Sequence, residues 1–304
     1  MTRALRYLAP NLITSLGILC GLLSVAASVD GRYYDAGWFI IYASLTDRLD
    51  GLVARTLRGT SELGVQLDSL ADLITFGIAP ATLLYASLGG APELPFHDGA
   101  GRLYLMVAAA AWVLSACFRL ARYNISMEVD DRKPVIFFGV PTTLAAGTLA
   151  VWFLTFMKYS PEGAFLSAHS QVTEQNLYGA LTTPEAVWRW FPAAVLVGAF
   201  MMASNLRMPK LGLARSKVAT VFVMSNVAAG SVCGLLNIYP EYLVWPPTLW
   251  LVLFLVWGQV SPTARRMRPP PILPSQDPPP GEEPVRPEDD LVDDHEVPNE
   301  QFQL

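Results

Sequence analysis

The chain is expected to be an all-α integral membrane protein of about eight transmembrane helices with a disordered C-terminal tail. Three observations predict this. The 304 residues are 52% hydrophobic and only 15% charged, where soluble domains carry about 25% charged residues. The mean hydropathy is +0.35. Apolar runs near the length of a bilayer-crossing helix, roughly 20 residues, recur along the first 260 positions.

The runs fall at about 11–29, 36–56, 66–88, 103–121, 139–157, 190–206, 218–237 and 243–260. The first follows Arg3 and Arg6 as a secretory leader would. No clean small-residue cleavage site follows it and it reads on toward Val29, so it is taken as a retained span. With the N-terminus on the inner side, inner segments hold 16 of the 20 basic residues before Pro269. Outer segments hold Arg32, Arg102, Lys158 and Arg189. That bias fits the positive-inside rule, with both termini cytoplasmic in an inner membrane. Trp38, Trp188, Trp190 and Trp245 fall near the outer interface, as an aromatic belt would. The last stretch, Pro269 to Leu304, holds 10 of 26 acids, 10 of 24 prolines and one basic residue. Such a composition does not offset the entropy of ordering. The chain therefore divides into a membrane domain, 1–268, and a Pro-rich acidic tail, 269–304.

Other chemistries are poorly served. Cys20, Cys117 and Cys233 are far apart in apolar runs, and His97, His169 and His295 have no neighbouring ligand candidate. Neither a zinc spacing nor a disulfide framework is present. No nucleic-acid partner is expected.

Carboxylates stand out instead. The second and third spans contain Asp47, Asp50, Asp68 and Asp72. Ionisable residues in spanning helices are costly and functional by default. Asp47 and Asp50 are i,i+3, and Asp68 and Asp72 are i,i+4, so each pair shares one helix face. A short turn containing Gly59 and Gly64 makes the helices antiparallel neighbours and brings four carboxylates to one pocket. Four like charges together repel, and divalent cations remove that difficulty. Oxygen-only ligands suit Mg²⁺ or Mn²⁺, and two such ions form the usual clamp on a transferring phosphoryl group. Gly51 and Ala54, one turn apart, permit close approach of backbone or ligand. Arg55 offers a planar fork for phosphate oxygens, and Ser61 a hydroxyl. The competing reading makes the acids a solvated loop paired with Arg48, Arg55 and Arg58. It gives the small residues no reason. A carboxylate-lined transporter would show inverted repeats, and no internal repeat is evident.

The spacing D-x2-D-G-x2-A-R-x8-G-x3-D-x3-D, from Asp47 to Asp72, resembles the signature of the CDP-alcohol phosphatidyltransferase family at all eight fixed positions. The resemblance implies an integral-membrane helical enzyme that displaces CMP from a CDP-linked substrate with an acceptor hydroxyl and two divalent cations. It implies Asp47, Asp50, Asp68 and Asp72 as metal ligands, Asp72 also as general base, and Gly51, Ala54, Arg55 and Ser61 as contacts to the CDP moiety. Asn11, in Pro10-Asn11-Leu12-Ile13-Thr14, is similar to the family's first-helix segment near the nucleotide. It also implies a homodimer.

The stretches 67–80, Phe118 to Asn124 and Phe138 to Pro141 resemble the phosphatidylserine synthase subgroup. That subgroup uses CDP-diacylglycerol and L-serine in contact with membrane lipid. Arg119 and Arg122, i,i+3 at the end of the fourth span, would meet a serine carboxylate, with Asn124 orienting polar groups. Glycerol 3-phosphate would want cations too, so other acceptors, including inositol phosphate and choline, stay open.

Overall fold

The structure is a computed structural model that describes residues 3–57, 62–129, 136–167, 176–209 and 217–265. The turn with Arg58, Gly59 and Ser61, and the acidic tail 269–304, lie outside the described residues, as does the side chain of Arg55.

All eight apolar runs fall on helices. The elements are α1 (Arg3–Val29), α2 (Tyr33–Leu57), α3 (Glu62–Asp72), a π-helical turn (Leu73–Ile78), α4 (Ala79–Gly90), α5 (Gly99–Val129), β1 (Ile136–Phe138), α6 (Thr142–Lys158), α7 (Glu185–Ala203), β2 (Arg207–Pro209), α8 (Lys217–Leu236), α9 (Pro240–Val260) and α10 (Pro262–Arg265). Among the described residues, five stretches are long and apolar enough to cross a membrane: Leu8–Val29, Leu63–Gly90, Gly99–Ile125, Glu185–Ala203 and Pro240–Val260. α2 carries Asp35, Asp47, Arg48, Asp50 and Arg55 and α6 has 17 residues, so charge excludes the one and length the other.

α1 turns its small residues inward and its leucines outward. On α1, Thr14, Gly17, Gly21, Ser24 and Ser28 are buried, while Leu12, Leu16, Leu19 and Leu23 are exposed. Lipid solvates leucine as well as a protein core does. Small residues therefore sit where backbones approach. Ser24 Oγ donates across the α1–α2 interface to the Ala36 carbonyl at 2.8 Å. Gly21 meets the π turn so closely that a Cβ there would lie 2.7 Å from Thr75 Cγ2.

The π turn follows Asp72 directly, and the Ala79 amide donates to the Ile74 carbonyl five residues back. Pro80 has no amide to offer the Phe76 carbonyl four residues back. Trp112 Nε1 from α5 donates to that oxygen instead, at 2.9 Å. Proline is a usual cause of a bend in a helix. The change of helical geometry occupies the six residues ahead of it, and this places Asp72 at the junction.

An antiparallel β1–β2 ribbon, Ile136 opposite Pro209 and Phe138 opposite Arg207, is an addition that hydropathy did not reveal. Three-residue strands are too short for a periodic signal.

Candidate functional site

The acids occupy one end of the bundle. Asp47 and Asp50 lie in the last turns of α2, and Asp68 and Asp72 in α3. Carboxylate oxygens of Asp47, Asp50 and Asp68 all fall within 4.8 Å of one another. Asp72, one turn beyond Asp68, interacts electrostatically with those three and with Arg119. Asp50 is buried, Asp47 and Asp72 are half-buried, and Asp68 is exposed, so the cluster is open on the α3 side.

α1 contributes a side chain as well. Thr14 Oγ1 donates to Asp50 Oδ2 at 2.9 Å, and the Gly51 amide also hydrogen-bonds this carboxylate. Thr14 lies one turn after Pro10, whose carbonyl is 3.1 Å from the same hydroxyl. The Thr143 hydroxyl at the start of α6 hydrogen-bonds Asp47. α1 and α6 therefore both brace the α2 carboxylates.

The donor set fits a hard divalent cation. It is all oxygen, anionic, and drawn from two helices whose mutual repulsion a cation would relieve. Gly51 fits a ligand too, since a Cβ there would meet no protein atom within 4 Å. No packing demand explains that glycine. Ala54 is half-buried one turn on. Asn11 is half-buried, one turn ahead of Ser15 on α1.

The candidate cations divide sharply. Arg122 donates to the carbonyls of Phe138 at 2.6 Å and Ser204 at 3.1 Å, and to Asn205 Oδ1 at 3.0 Å. It is a clamp between α5, the turn after β1 and the end of α7. That turn needs Gly139: its φ is +81°, and a Cβ would lie 2.2 Å from the Met202 carbonyl. Asn124 Nδ2 donates to Ser69 Oγ at 3.0 Å and docks α5 on α3. Arg119 is different. It is 8% exposed, its Nη1 donates to Thr142 Oγ1 at 3.3 Å, and its Nε has no hydrogen-bond partner.

The model of the CDP-alcohol phosphatidyltransferase family matches residues 7–174, a stretch that includes all four acids. The chain belongs to that family. Among curated phosphatidyltransferases, the CDP-diacylglycerol--serine O-phosphatidyltransferase of Helicobacter pylori strain J99 is 33% identical over 203 residues, which is 67% of this chain and 72% of that protein. The protein of the same name from Bacillus subtilis strain 168 is 31% identical over 147 residues, 48% of this chain and 76% of the relative. The archaetidylserine synthase of Methanothermobacter thermautotrophicus is 32% identical over 160 residues, 52% of this chain and 62% of the relative.

Three hydroxyls of this phosphatidyltransferase make contacts at the site that its sequence did not assign: Thr14, Thr142 and Thr143. Each had a signal. Thr14 is a hydroxyl on the small-residue face of α1, one turn past a proline. Thr142 and Thr143 open a helix directly after a Gly-Val-Pro turn, where first-turn donors collect.

Proposed function

We propose that this enzyme transfers the phosphatidyl group of CDP-diacylglycerol to the hydroxyl of L-serine, giving phosphatidylserine and CMP. The observation that carries this reading is the convergence of the Asp47, Asp50 and Asp68 carboxylates, with Asp72 in electrostatic reach of all three. The serine acceptor is supported by the activities for which the Helicobacter and Bacillus relatives are named.

Asp47, Asp50, Asp68 and Asp72 would hold two divalent cations, Mg²⁺ or Mn²⁺, which when bound neutralise charge on the pyrophosphate. Gly51, Ala54, Arg55, Ser61 and Asn11 would surround the CDP moiety, with the Arg55 fork on phosphate oxygens. Asp72 accepts the proton of the serine hydroxyl as general base. The serine oxygen attacks the phosphorus on the lipid side, and CMP departs with the electrons of the broken bond. Of the three proposed acceptor-binding groups, Arg119 is the one whose guanidinium keeps an unused donor. Arg122 and Asn124 act through the backbone turn and helix they hold.

The site end of the bundle is the cytoplasmic end in an inner membrane, on the strength of the basic-residue bias. Eight spans then leave both termini inside, and the chain works as a homodimer. The tail 269–304 is separate from the chemistry.

A panel of labelled acceptors tests the reading. Purified protein is supplied with CDP-diacylglycerol and Mn²⁺ or Mg²⁺, and labelled lipid is measured with serine, glycerol 3-phosphate, inositol phosphate or choline. Lipid formed from another acceptor and not from serine would overturn the assignment. Asp72→Asn retaining CMP release within a few-fold of wild type would remove the base. A chain ending at residue 268 is expected to keep full activity.

A further inference from the structure

We propose that the groove between α5, α6, α7 and α9 binds an acyl chain of a bilayer phospholipid other than the substrate, as a second lipid site behind the reaction centre. The proposal goes beyond the serine reading, since that lipid is neither donor nor product.

The groove is an apolar void of about 600 Å³. Its floor is Trp112 of α5, 1% exposed, with Phe191 of α7 beside it. Its rim holds Trp190 and Val197, 73% and 57% exposed, so it opens on a face of the bundle that meets lipid. α5, α7 and α9 all carry stretches long and apolar enough to cross a membrane. The polar groups of the lining are already spent. Thr148 Oγ1 donates to the Leu144 carbonyl at 2.7 Å, Trp152 Nε1 to Thr248 Oγ1 at 3.0 Å and Trp112 Nε1 to the Phe76 carbonyl. Water entering the groove would find no partners, and an empty void forfeits the dispersion contacts of its lining. A hydrocarbon chain meets neither penalty.

Dimensions select the occupant. The lining runs along α7 from Ala186 to Met201, about 22 Å of helix at a rise of about 1.5 Å per residue. A volume of about 600 Å³ over that length gives a mean width of about 5 Å. A helix from a second copy of the chain is about 10 Å across and does not fit, whereas a single extended hydrocarbon chain does. α6 decides which lipid. Thr143, Gly147 and Val151 line its side toward α2, where Thr143 hydrogen-bonds Asp47. Ala145, Thr148, Trp152 and Phe156 line the groove, on the opposite face of the same helix. The body of α6 thus stands between the groove and the carboxylates, and the chains of a lipid whose headgroup is held at the carboxylates lie on the other side. The groove is nevertheless coupled to the reaction centre. Trp112 packs on α7 so closely that a Cβ at Gly198 would lie 2.8 Å from its Cζ3, and its Nε1 holds the Phe76 carbonyl in the π turn that follows Asp72. A chain in the groove packs against the residue that fixes this turn.

The test is native mass spectrometry of the purified full-length protein after incubation with mixed micelles of detergent and dioleoyl phosphatidylcholine, followed by a detergent wash. Wild type is expected to retain a single phospholipid per chain. Ala194→Phe on α7 and Thr148→Phe on α6 fill the groove from facing walls. Each is expected to lower the retained fraction at least about ten-fold, the equivalent of about two buried methylene groups, and to leave the KM for CDP-diacylglycerol within two-fold. Ala194 is exposed and the Thr148 hydroxyl bonds its own helix, so either variant carries the test if the other does not fold. Wild type that retains no phospholipid, or folded variants that retain as much as wild type, would overturn the site. A ten-fold rise in the CDP-diacylglycerol KM in the folded variants would assign the groove to the donor's own chain and overturn the second lipid. Loss of a dimer in the variants with lipid retention unchanged would assign the groove to a second copy of the chain and likewise overturn the proposal.

Discussion

The two ends of the bundle treat buried charge in opposite ways. At the end away from the acids, Glu241 is fully buried and fully satisfied. Lys158 Nζ donates to its two oxygens at 2.9 and 3.1 Å. Tyr159 Oη donates at 3.2 Å and the Leu177 amide at 3.1 Å. Tyr178 Oη donates to the Glu241 carbonyl and accepts from Trp245 Nε1. At the acidic end, three carboxylates crowd within 4.8 Å and a buried arginine keeps a donor unused. A saturated network holds helices together. Crowded carboxylates repel unless a cation joins them.

The comparison breaks if the acidic end proves structural. Asp68→Asn is expected to lower CMP release at least about a thousand-fold, equivalent to about 4 kcal/mol of transition-state stabilisation. Its thermal unfolding should be unchanged or raised, because one of several repelling charges is gone. A large loss of thermal stability with activity retained would reverse the assignment. Chelation of divalent ions should abolish turnover in the same assay.

Glu241→Gln should do the opposite. It leaves the Lys158 ammonium buried without its counter-charge, at a cost of about 3 kcal/mol. Activity per folded molecule should stay within two-fold. Replacing both partners, Lys158→Met with Glu241→Leu, should recover most of that stability, because no buried charge is stranded. Denaturation of detergent-solubilised protein reads both.

Thr14→Val sharpens the contrast within the site. Loss of its bond to Asp50 should lower kcat/KM about ten-fold, in line with a hydrogen bond to a charged group, with little change in unfolding. Trp112→Phe removes the donor that serves the Phe76 carbonyl and should cost about 1 kcal/mol of stability. A further effect is one of pH. Burial, with help from the Glu241 carboxylate, pushes the Tyr159 phenol up to about 12. The folded state thus holds that proton more tightly than the unfolded chain. The stabilisation is complete below the ordinary tyrosine value near 10 and is lost as pH rises from there toward 12. Stability measured across that range should fall, and Tyr159→Phe should flatten the slope.

Much of this protein is written in local sequence. The apolar runs fall on helices, the form in which backbone groups facing lipid are satisfied within the segment. The i,i+3 and i,i+4 spacing of the acids puts each pair on one face, since helix periodicity alone decides that. Tertiary structure decided which polar groups those faces meet. Arg119 and Arg122 look equivalent in sequence. Arg122 donates to the Ser204 carbonyl 82 residues away, while Arg119 donates to Thr142. Thr14 reaches Asp50 across 36 residues, and Glu241 meets Lys158 across 83. Periodicity specifies the direction of a side chain from its own axis. It carries no information about the neighbour that packing brings to that side, and the supply of hydrogen-bond partners there separates a clamp from a binding site.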